Sequence, residues 1–273
     1  MRYNLKYTAL LLMAVIPMAI PSLAIQNNDG IDPEALIERI LNVRTAQLEG
    51  IKDLSLETTL LLGEIKENEG FVEKERFEKK IYIRFLTDTT LFYEEYLKYF
   101  KDDEEQSEKD LKKQAEERKK KKRKRKSFDL SYGMLTPFKP DHRSDYDIVY
   151  DGVTENEIAG RIAHQFTITA KEKRDDLIHG TYFFDAESFN LIRVEFTPAK
   201  LIRNLMFKLK KLDMSLDYAP NNDGIWLPEL FEIEGAGKAA FLFGVHFAGK
   251  EYYTNAKINS SPPDSLFLGD NDD

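Results

Sequence analysis

Alternating apolar and polar residues run through the C-terminal half of the chain and constrain its fold more than any other feature. Within residues 180–196, a short polar turn is flanked by two bulky apolar series, Tyr182 and Phe184 before it and Ile192, Val194 and Phe196 after it. A period of two places such side chains on one face of a β-strand. The pattern recurs at 161–171, 211–218 and 239–247. The sequence therefore predicts an antiparallel sheet with one buried face and one wetter face.

The first 24 residues resemble a secretory signal. They contain a basic start (Arg2 and Lys6), an apolar core of twelve residues (9–20) and a small-residue boundary that ends at Ala24. The alternative is a membrane anchor, but a spanning helix needs about 20 apolar residues. We therefore expect cleavage after Ala24 and a mature protein that begins at Ile25.

The absence of cysteine and the net charge limit which compartment and which partners are expected for this protein. The chain has no cysteine, so it can form no disulfide and cannot carry a thioether-linked lipid anchor. The signal holds two of the 40 basic residues and no acid, which leaves the mature chain with a formal charge of −10. A surface of this sign disfavours broad binding of nucleic acid. We expect a soluble protein of the periplasm whose residues 25–259 form a single domain.

The N-terminal half predicts helices and two long strands. Asp32, Pro33 and Glu34 supply an N-cap, a first-turn proline and a first-turn acid, which predict a helix at 33–48. Residues 54–85 alternate as two antiparallel strands around a turn near Gly70. Phe92, Tyr96, Tyr99 and Phe100 have the spacing of one helix face and predict a second helix at 89–100.

A charged insert follows at 101–126, with acids first and bases last. That order suits the macrodipole of a long solvated helix, and a disordered insert is the alternative. Its nine consecutive bases are a possible contact for an anionic membrane or an acidic protein partner: Arg118, Lys119, Lys120, Lys121, Lys122, Arg123, Lys124, Arg125 and Lys126. At the other end of the chain, residues 260–273 are expected to be a disordered tail.

Residues suited to catalysis or metal binding are scarce in the sequence. Glycine-rich phosphate loops, GxSxG and HExxH motifs do not occur, and no two of the four histidines have metal-ligand spacing. Asp185 and Glu187 could form a catalytic carboxylate pair, but acids at a hairpin turn more commonly bind local backbone. We expect no catalytic residue, no metal and no cofactor.

The aromatic inward positions suggest an apolar cavity instead. Ordinary core packing is the safer interpretation of any one of them, but few predicted helices are available to cover so broad a sheet. The expected lining residues are Phe166, Ile168, Ile192, Val194, Phe241, Phe243, Val245 and Phe247. Such a cavity would bind something apolar.

Three segments resemble the LolA-like lipoprotein-sorting superfamily: Gly-Arg-Ile-Ala-His-Gln-Phe-Thr-Ile at 160–168, Gly-Thr-Tyr-Phe-Phe-Asp at 180–185 and Gly-Ile-Trp-Leu-Pro at 224–228. The similarity extends over about residues 33–258, and the charged insert departs from it. The resemblance implies an α+β fold, in which a strongly curved antiparallel sheet forms an incomplete barrel with helices on its concave face.

The same resemblance implies a function. It implies a non-catalytic envelope protein that binds the acyl chains of lipids or lipoproteins and carries them during sorting to the outer membrane. RseB-like members imply an alternative, a sensor or protein-interaction module on the same fold. Lipid that copurifies with the protein would favour the carrier, and an empty cavity in a stable protein complex would favour the sensor.

Overall fold

The structure is a computed structural model that describes residues 30–86, 90–123, 133–201, 207–239 and 243–268. Its contacts divide the chain into Met1–Gly30 and Ile31–Asp273, and every element named below lies in the second unit. The predicted signal, with its cleavage site, lies outside the described residues.

Eleven strands form one sheet in which every pairing is antiparallel. The strands are β1 (Asp53–Lys66), β2 (Gly70–Phe85), β3 (Thr90–Lys101), β4 (Glu104–Glu105), β5 (Tyr146–Val153), β6 (Ala163–Ala170), β7 (Ile178–Asp185), β8 (Leu191–Pro198), β9 (Phe207–Pro220), β10 (Trp226–Ala239) and β11 (Phe243–Ile258). Their order is β4-β3-β2-β1-β11-β10-β9-β8-β7-β6-β5, so β4 and β5 form the two edges and the described sheet is not closed into a barrel. The predicted fold class, an open antiparallel sheet with helices, is confirmed.

The helices are α1 (Pro33–Leu48), α2 (Glu108–Arg123), α3 (Pro140–Arg143), α4 (Ser265–Leu268) and a 3-10 helix at Gly133–Phe138. Helix α1 has the predicted bounds, and the Asp32 side chain accepts a hydrogen bond from the Glu34 amide at 3.0 Å. This bond satisfies one of the orphan N–H groups at the start of the helix.

One face of the sheet, here called the inner face, carries α1 and the 3-10 helix. Strand pairing aligns ten of its residues in one row from β5 to β3: Tyr150, Phe166, Tyr182, Val194, Leu216, Phe231, Glu251, Leu60, Phe77 and Tyr99. We call this the central row. Of its ten members only Glu251 is charged, so the row is apolar apart from one carboxylate near its middle.

The main core lies where α1 and the 3-10 helix cover β5 to β9. Leu36, Ile37 and Ile40 of α1 are buried there. The Phe138 ring, which is fully buried, meets Phe166, Tyr182 and Phe184 edge-on at centroid distances of 5.6, 5.0 and 5.6 Å. Met134, Leu135 and Phe138 of the 3-10 helix complete the core.

The predicted helix at 89–100 is wrong, because these residues form strand β3. Tyr96 pairs with Lys79 and Lys98 pairs with Glu78, which leaves Leu97 as the extra residue of a bulge. A bulge inserts one residue into a two-residue period. Phe92, Tyr96 and Tyr99 therefore share the inner face at a spacing that imitates a helix, whereas Phe100 stacks with Arg76.

The charged insert is helical at 108–123, but it does not simply extend into solvent as expected. Leu111, Gln114, Ala115 and Arg118 are half-buried along one face of α2. The Arg118 guanidinium lies 3.2 Å from a Glu75 carboxylate oxygen and 4.1 Å from the centre of the Phe77 ring. A guanidinium can bind a carboxylate and stack on an aromatic face, and Arg118 does both, so the first base of the basic run contacts the body of the protein.

Residues 260–268 differ from the expected disordered tail. The Ser261 amide donates to the Asp53 carboxylate at 3.0 Å, and Arg84 donates to the Pro262 carbonyl at 2.5 Å. The Arg84 guanidinium also lies 4.5 Å from the centre of the Phe267 ring in α4. These contacts fix the segment against β1 and β2, while residues 269–273 lie outside the described residues.

Candidate ligand-binding face

The structure places the expected cavity residues in two environments. Phe166, Ile168, Ile192 and Val194 are fully buried in the main core beneath α1 and the 3-10 helix. Val245 and Phe247 are half-buried on β11. Phe241 and the side chain of Phe243 lie outside what the structure describes. The four core residues stabilise the fold. Of the expected lining residues whose side chains the structure describes, only Val245 and Phe247 lie where a ligand could reach them without movement of the helices.

A half-exposed apolar surface continues the inner face beyond the main core. We call it the apolar strip and define it by seven half-buried residues of β1, β9, β10 and β11: Leu60, Leu62, Met214, Phe231, Ile233, Val245 and Phe247. Met214 and Phe231 also pack against the main core, so the strip and the core are continuous. Bulky apolar side chains left half-exposed in one patch are a common feature of binding surfaces.

Two glycines, one on β10 and one on β11, pack closely against side chains of this strip. A Cβ atom at Gly235 would lie 2.2 Å from Cζ of Phe247, because the phenyl ring rests on the glycine backbone. A Cβ atom at Gly249 would lie 3.1 Å from Ile233 Cγ2 and 3.2 Å from Leu62 Cδ2. A side chain at Gly235 would collide with the Phe247 ring, whereas one at Gly249 would require its neighbours to shift by a few tenths of an ångström.

A buried group of charges adjoins the strip on β2, β3 and β11. Lys79 Nζ lies 2.5 Å from Glu94 Oε1 and 2.7 Å from Glu251 Oε1, and the Lys79 side chain is only 3% exposed. Tyr96 lies beside it, with Nζ 5.8 Å from the ring centre. We call Lys79, Glu94, Glu251 and Tyr96 the polar centre.

The pKa values within the polar centre follow from this packing. Burial lowers the pKa of Lys79, but the carboxylates of Glu251 and Glu94 outweigh burial and raise it above its usual value. Burial, reinforced by Glu94, raises the pKa of Tyr96 to about 12. Lys79 is therefore an ammonium and Tyr96 a neutral phenol at any physiological pH.

Thr58 borders the polar centre and carries an unusual hydroxyl. It pairs with Lys79 on β2 and with Tyr253 on β11, and it is 3% exposed. Among the described residues, its Oγ1 has no hydrogen-bond partner. A buried hydroxyl without a partner is costly, and its persistence indicates a site where another polar group can enter.

A groove between α2 and β3 leads to the polar centre. It encloses about 410 Å³ and is lined by Glu94 and Tyr96 from β3 and by Glu108, Leu111, Lys112 and Ala115 from α2, with Tyr93, Glu95 and Leu97 at the strand edge. Glu108 and Lys112 form an exposed ion pair of 2.7 Å at its rim. Glu94 and Tyr96 are thus the members of the polar centre that line the groove.

The carboxylate pair considered from sequence has a structural explanation. The Asp185 carboxylate accepts hydrogen bonds from the Ser188 amide at 2.6 Å and from Arg161 at 3.1 Å. Burial raises the pKa of Asp185, but these bonds outweigh it and hold the pKa below its usual value. Asp185 therefore stabilises the turn between β7 and β8.

Within the described ranges, no group of three or more His, Asp or Glu side chains could hold a metal ion. In the same ranges, no helix combines the length and apolar character that crossing a membrane requires.

Sequence reasoning missed the polar centre, although one signal for it was present. Phe77, Ile81 and Ile83 alternate as inward residues of β2, and Lys79 occupies the inward position between them. A lysine in an inward series predicts either a buried ion pair or an interruption of the core. Its partners Glu94 and Glu251 are distant in sequence, so only strand pairing reveals them.

No protein-family model and no curated protein matches the sequence. Similar solved structures include a DUF1329 family protein from Desulfovibrio piger (12% identity, 88% of this chain and 98% of that chain, TM-score 0.47). They also include an outer membrane lipoprotein-sorting protein domain from Vibrio parahaemolyticus (11%, 85% and 95%, 0.41) and a LolA superfamily protein from Nitrosomonas europaea (11%, 88% and 99%, 0.38).

A LolA superfamily protein and a lipoprotein-sorting protein domain are thus among the solved structures to which this chain is similar. At TM-scores below 0.5 the likeness supports no statement about function. The fold rests on the strand pairing described above, and the function is argued from the site alone.

Proposed function

We propose that this protein binds acyl chains of lipids or lipoproteins on the apolar strip and carries them within the cell envelope, without catalysing a reaction. The observation that carries this proposal is the strip itself, seven half-exposed apolar side chains continuous with the main core. An acyl chain is a flexible apolar ligand that needs contact area rather than specific polar groups.

The fully buried residues Phe166, Ile168, Ile192 and Val194 enter the proposal differently. They form the end of the inner face that α1 and the 3-10 helix already cover. A ligand longer than the strip would reach them only if these helices moved. The strip is therefore proposed as the first binding surface, and the four buried residues as its continuation in an opened form.

The proposed location is the periplasm, and it rests on the signal-like first 24 residues and the absence of cysteine. N-terminal sequencing of exported protein would give Ile25 as the first residue. A chain that retained its first 24 residues in membranes would contradict the location.

The test of the proposed function is acyl binding by the purified mature protein. Organic extraction followed by mass spectrometry should release copurified lipid, and the delipidated protein should bind a fluorescent fatty acid. Ile233→Ser with Phe247→Ser removes apolar area from the strip and should weaken binding about tenfold or more, since each lost side chain contributes about 1 to 2 kcal/mol.

Val149→Ser is the matched control, because Val149 is an apolar strand residue that is 50% exposed and lies outside the strip. It should leave acyl binding unchanged. Equal affinity of the double variant and the wild type would contradict the strip as the binding surface. Purification without lipid in a stable complex with another protein would instead favour a sensor or interaction module.

A further inference from the structure

We propose that the polar centre and the groove beneath α2 bind a zwitterionic headgroup, a phosphate joined to an ammonium, of the lipid whose acyl chains occupy the apolar strip. This inference rests on the proposed function and specifies its ligand. It concerns residues of β1, β2, β3, β11 and α2 that the acyl-binding proposal does not use.

The first argument is the position of the charges relative to the strip. In the central row, Glu251 pairs with Phe231 on one side and with Leu60 on the other, and both neighbours belong to the strip. Glu251 also contacts Lys79 at 2.7 Å. An amphiphile whose chains lie on the strip therefore has its polar end within reach of the polar centre.

Charges of both signs lie at this site. Lys79 and Arg118 supply two cations, and Glu75, Glu94 and Glu251 supply carboxylates in direct contact with them. A headgroup with one sign of charge would displace one partner and leave the other buried and unpaired. A zwitterion can exchange partners with both members of a pair, because its phosphate replaces a carboxylate and its ammonium replaces the lysine.

The third argument is space with an access route. The groove of about 410 Å³ opens to solvent at the Glu108–Lys112 ion pair and ends at Glu94 and Tyr96. Glu94 belongs both to the groove wall and to the polar centre, so a group that enters the groove meets the carboxylate that contacts Lys79.

The fourth argument is the Thr58 hydroxyl. It is buried next to Lys79, and no described group is its hydrogen-bond partner. A hydroxyl can donate to a phosphate or ester oxygen. A headgroup in the polar centre would supply the missing bond.

The experiment compares three probes with identical chains, namely dioctanoyl phosphatidylethanolamine, dioctanoyl phosphatidylglycerol and dioctanoylglycerol, by titration calorimetry on the mature protein. We expect the ethanolamine lipid to bind at least tenfold more tightly than the other two. Equal affinity for all three would overturn the headgroup site and leave the proposed acyl binding intact. Binding of none would overturn both.

Free O-phosphoethanolamine separates a lipid from a small zwitterion as the source of the headgroup. It should bind far more weakly than the lipid because it makes no contact with the apolar strip. Equally tight binding of the free compound would overturn the assignment of a lipid.

Thr58→Val removes the orphan hydroxyl while it keeps the shape of the side chain. It should weaken binding of the ethanolamine lipid about five- to tenfold, and it should leave dioctanoylglycerol binding and thermal stability unchanged or improved. Thr59→Val, at the next position on the opposite face of β1, is the control and should change neither affinity. Unchanged lipid binding in Thr58→Val would overturn the site.

Discussion

The central row contains two buried tyrosines, and among the described residues only one of them has a hydrogen-bond partner for its hydroxyl. Tyr150 and Tyr182 are both buried in the main core. The Tyr150 hydroxyl lies 3.0 Å from Nδ1 of His164, whereas the Tyr182 hydroxyl has no hydrogen-bond partner among the described residues. Burial raises the pKa of Tyr182 well above its usual value, so its hydroxyl remains protonated and unsatisfied. Tyr150 and Tyr182 therefore differ in whether the hydroxyl oxygen has a hydrogen-bond partner.

Tyr182→Phe should therefore stabilise the protein by about 1 kcal/mol, because it removes a buried polar atom that has no partner. Tyr150→Phe should destabilise it by about 1 kcal/mol, because it leaves His164 without its partner. Urea unfolding at pH 7.5 measures both changes. A loss of stability in Tyr182→Phe would show that its hydroxyl has a partner after all.

Helix α2 is long, but few of its described side chains contact the body of the protein. Most of its side chains between Glu108 and Arg118 are exposed. Among the charged residues from Glu108 to Arg118, Arg118 is the exception, since its side chain is 23% exposed and contacts both Glu75 and Phe77. Among the side chains that the structure describes, one guanidinium and a few small apolar contacts hold this helix.

Arg118→Ala should lower the free energy of unfolding by about 1 to 2 kcal/mol, through loss of the cation–π contact and the carboxylate pair. Arg118→Lys should recover only part of this, because an ammonium lacks the planar fork. The exposed Lys113→Ala on the same helix is the control and should change stability by less than about 0.5 kcal/mol. An equal effect of both alanine variants would mean that α2 is not held by Arg118.

For the whole molecule, one buried imidazole contributes to the pH dependence of stability near neutral pH. His164 is 6% exposed on β6, with Tyr150, Phe189, Arg39 and Asp185 around it. Burial and then Arg39 lower the pKa of His164, and Asp185 opposes them in part. Neutral His164 is therefore part of the folded state near neutral pH.

Stability should fall as the pH drops from 7.5 to 5.5. The unfolded histidine has a pKa near 6.5 and takes up a proton in this window, whereas the folded one resists protonation, so acid favours unfolding. His164→Gln should reduce the slope of unfolding free energy against pH over this window. The exposed His142→Gln is the control, and equal slopes in wild type and His164→Gln would refute the role of His164.

The sequence by itself determined the alternation of the strands, the cap and bounds of α1, and the sheet class, because each depends on local periodicity and on residues within one turn. The same reasoning failed for β3, because the extra residue of the bulge at Leu97 gives this strand the apolar spacing of a helix. Tertiary structure alone decided that Phe166 and Val194 lie in a filled core while Phe247 remains half-exposed. It also brought Lys79, Glu94 and Glu251 together, because strand pairing joins residues that are far apart in the chain and carry no local signal of their contact.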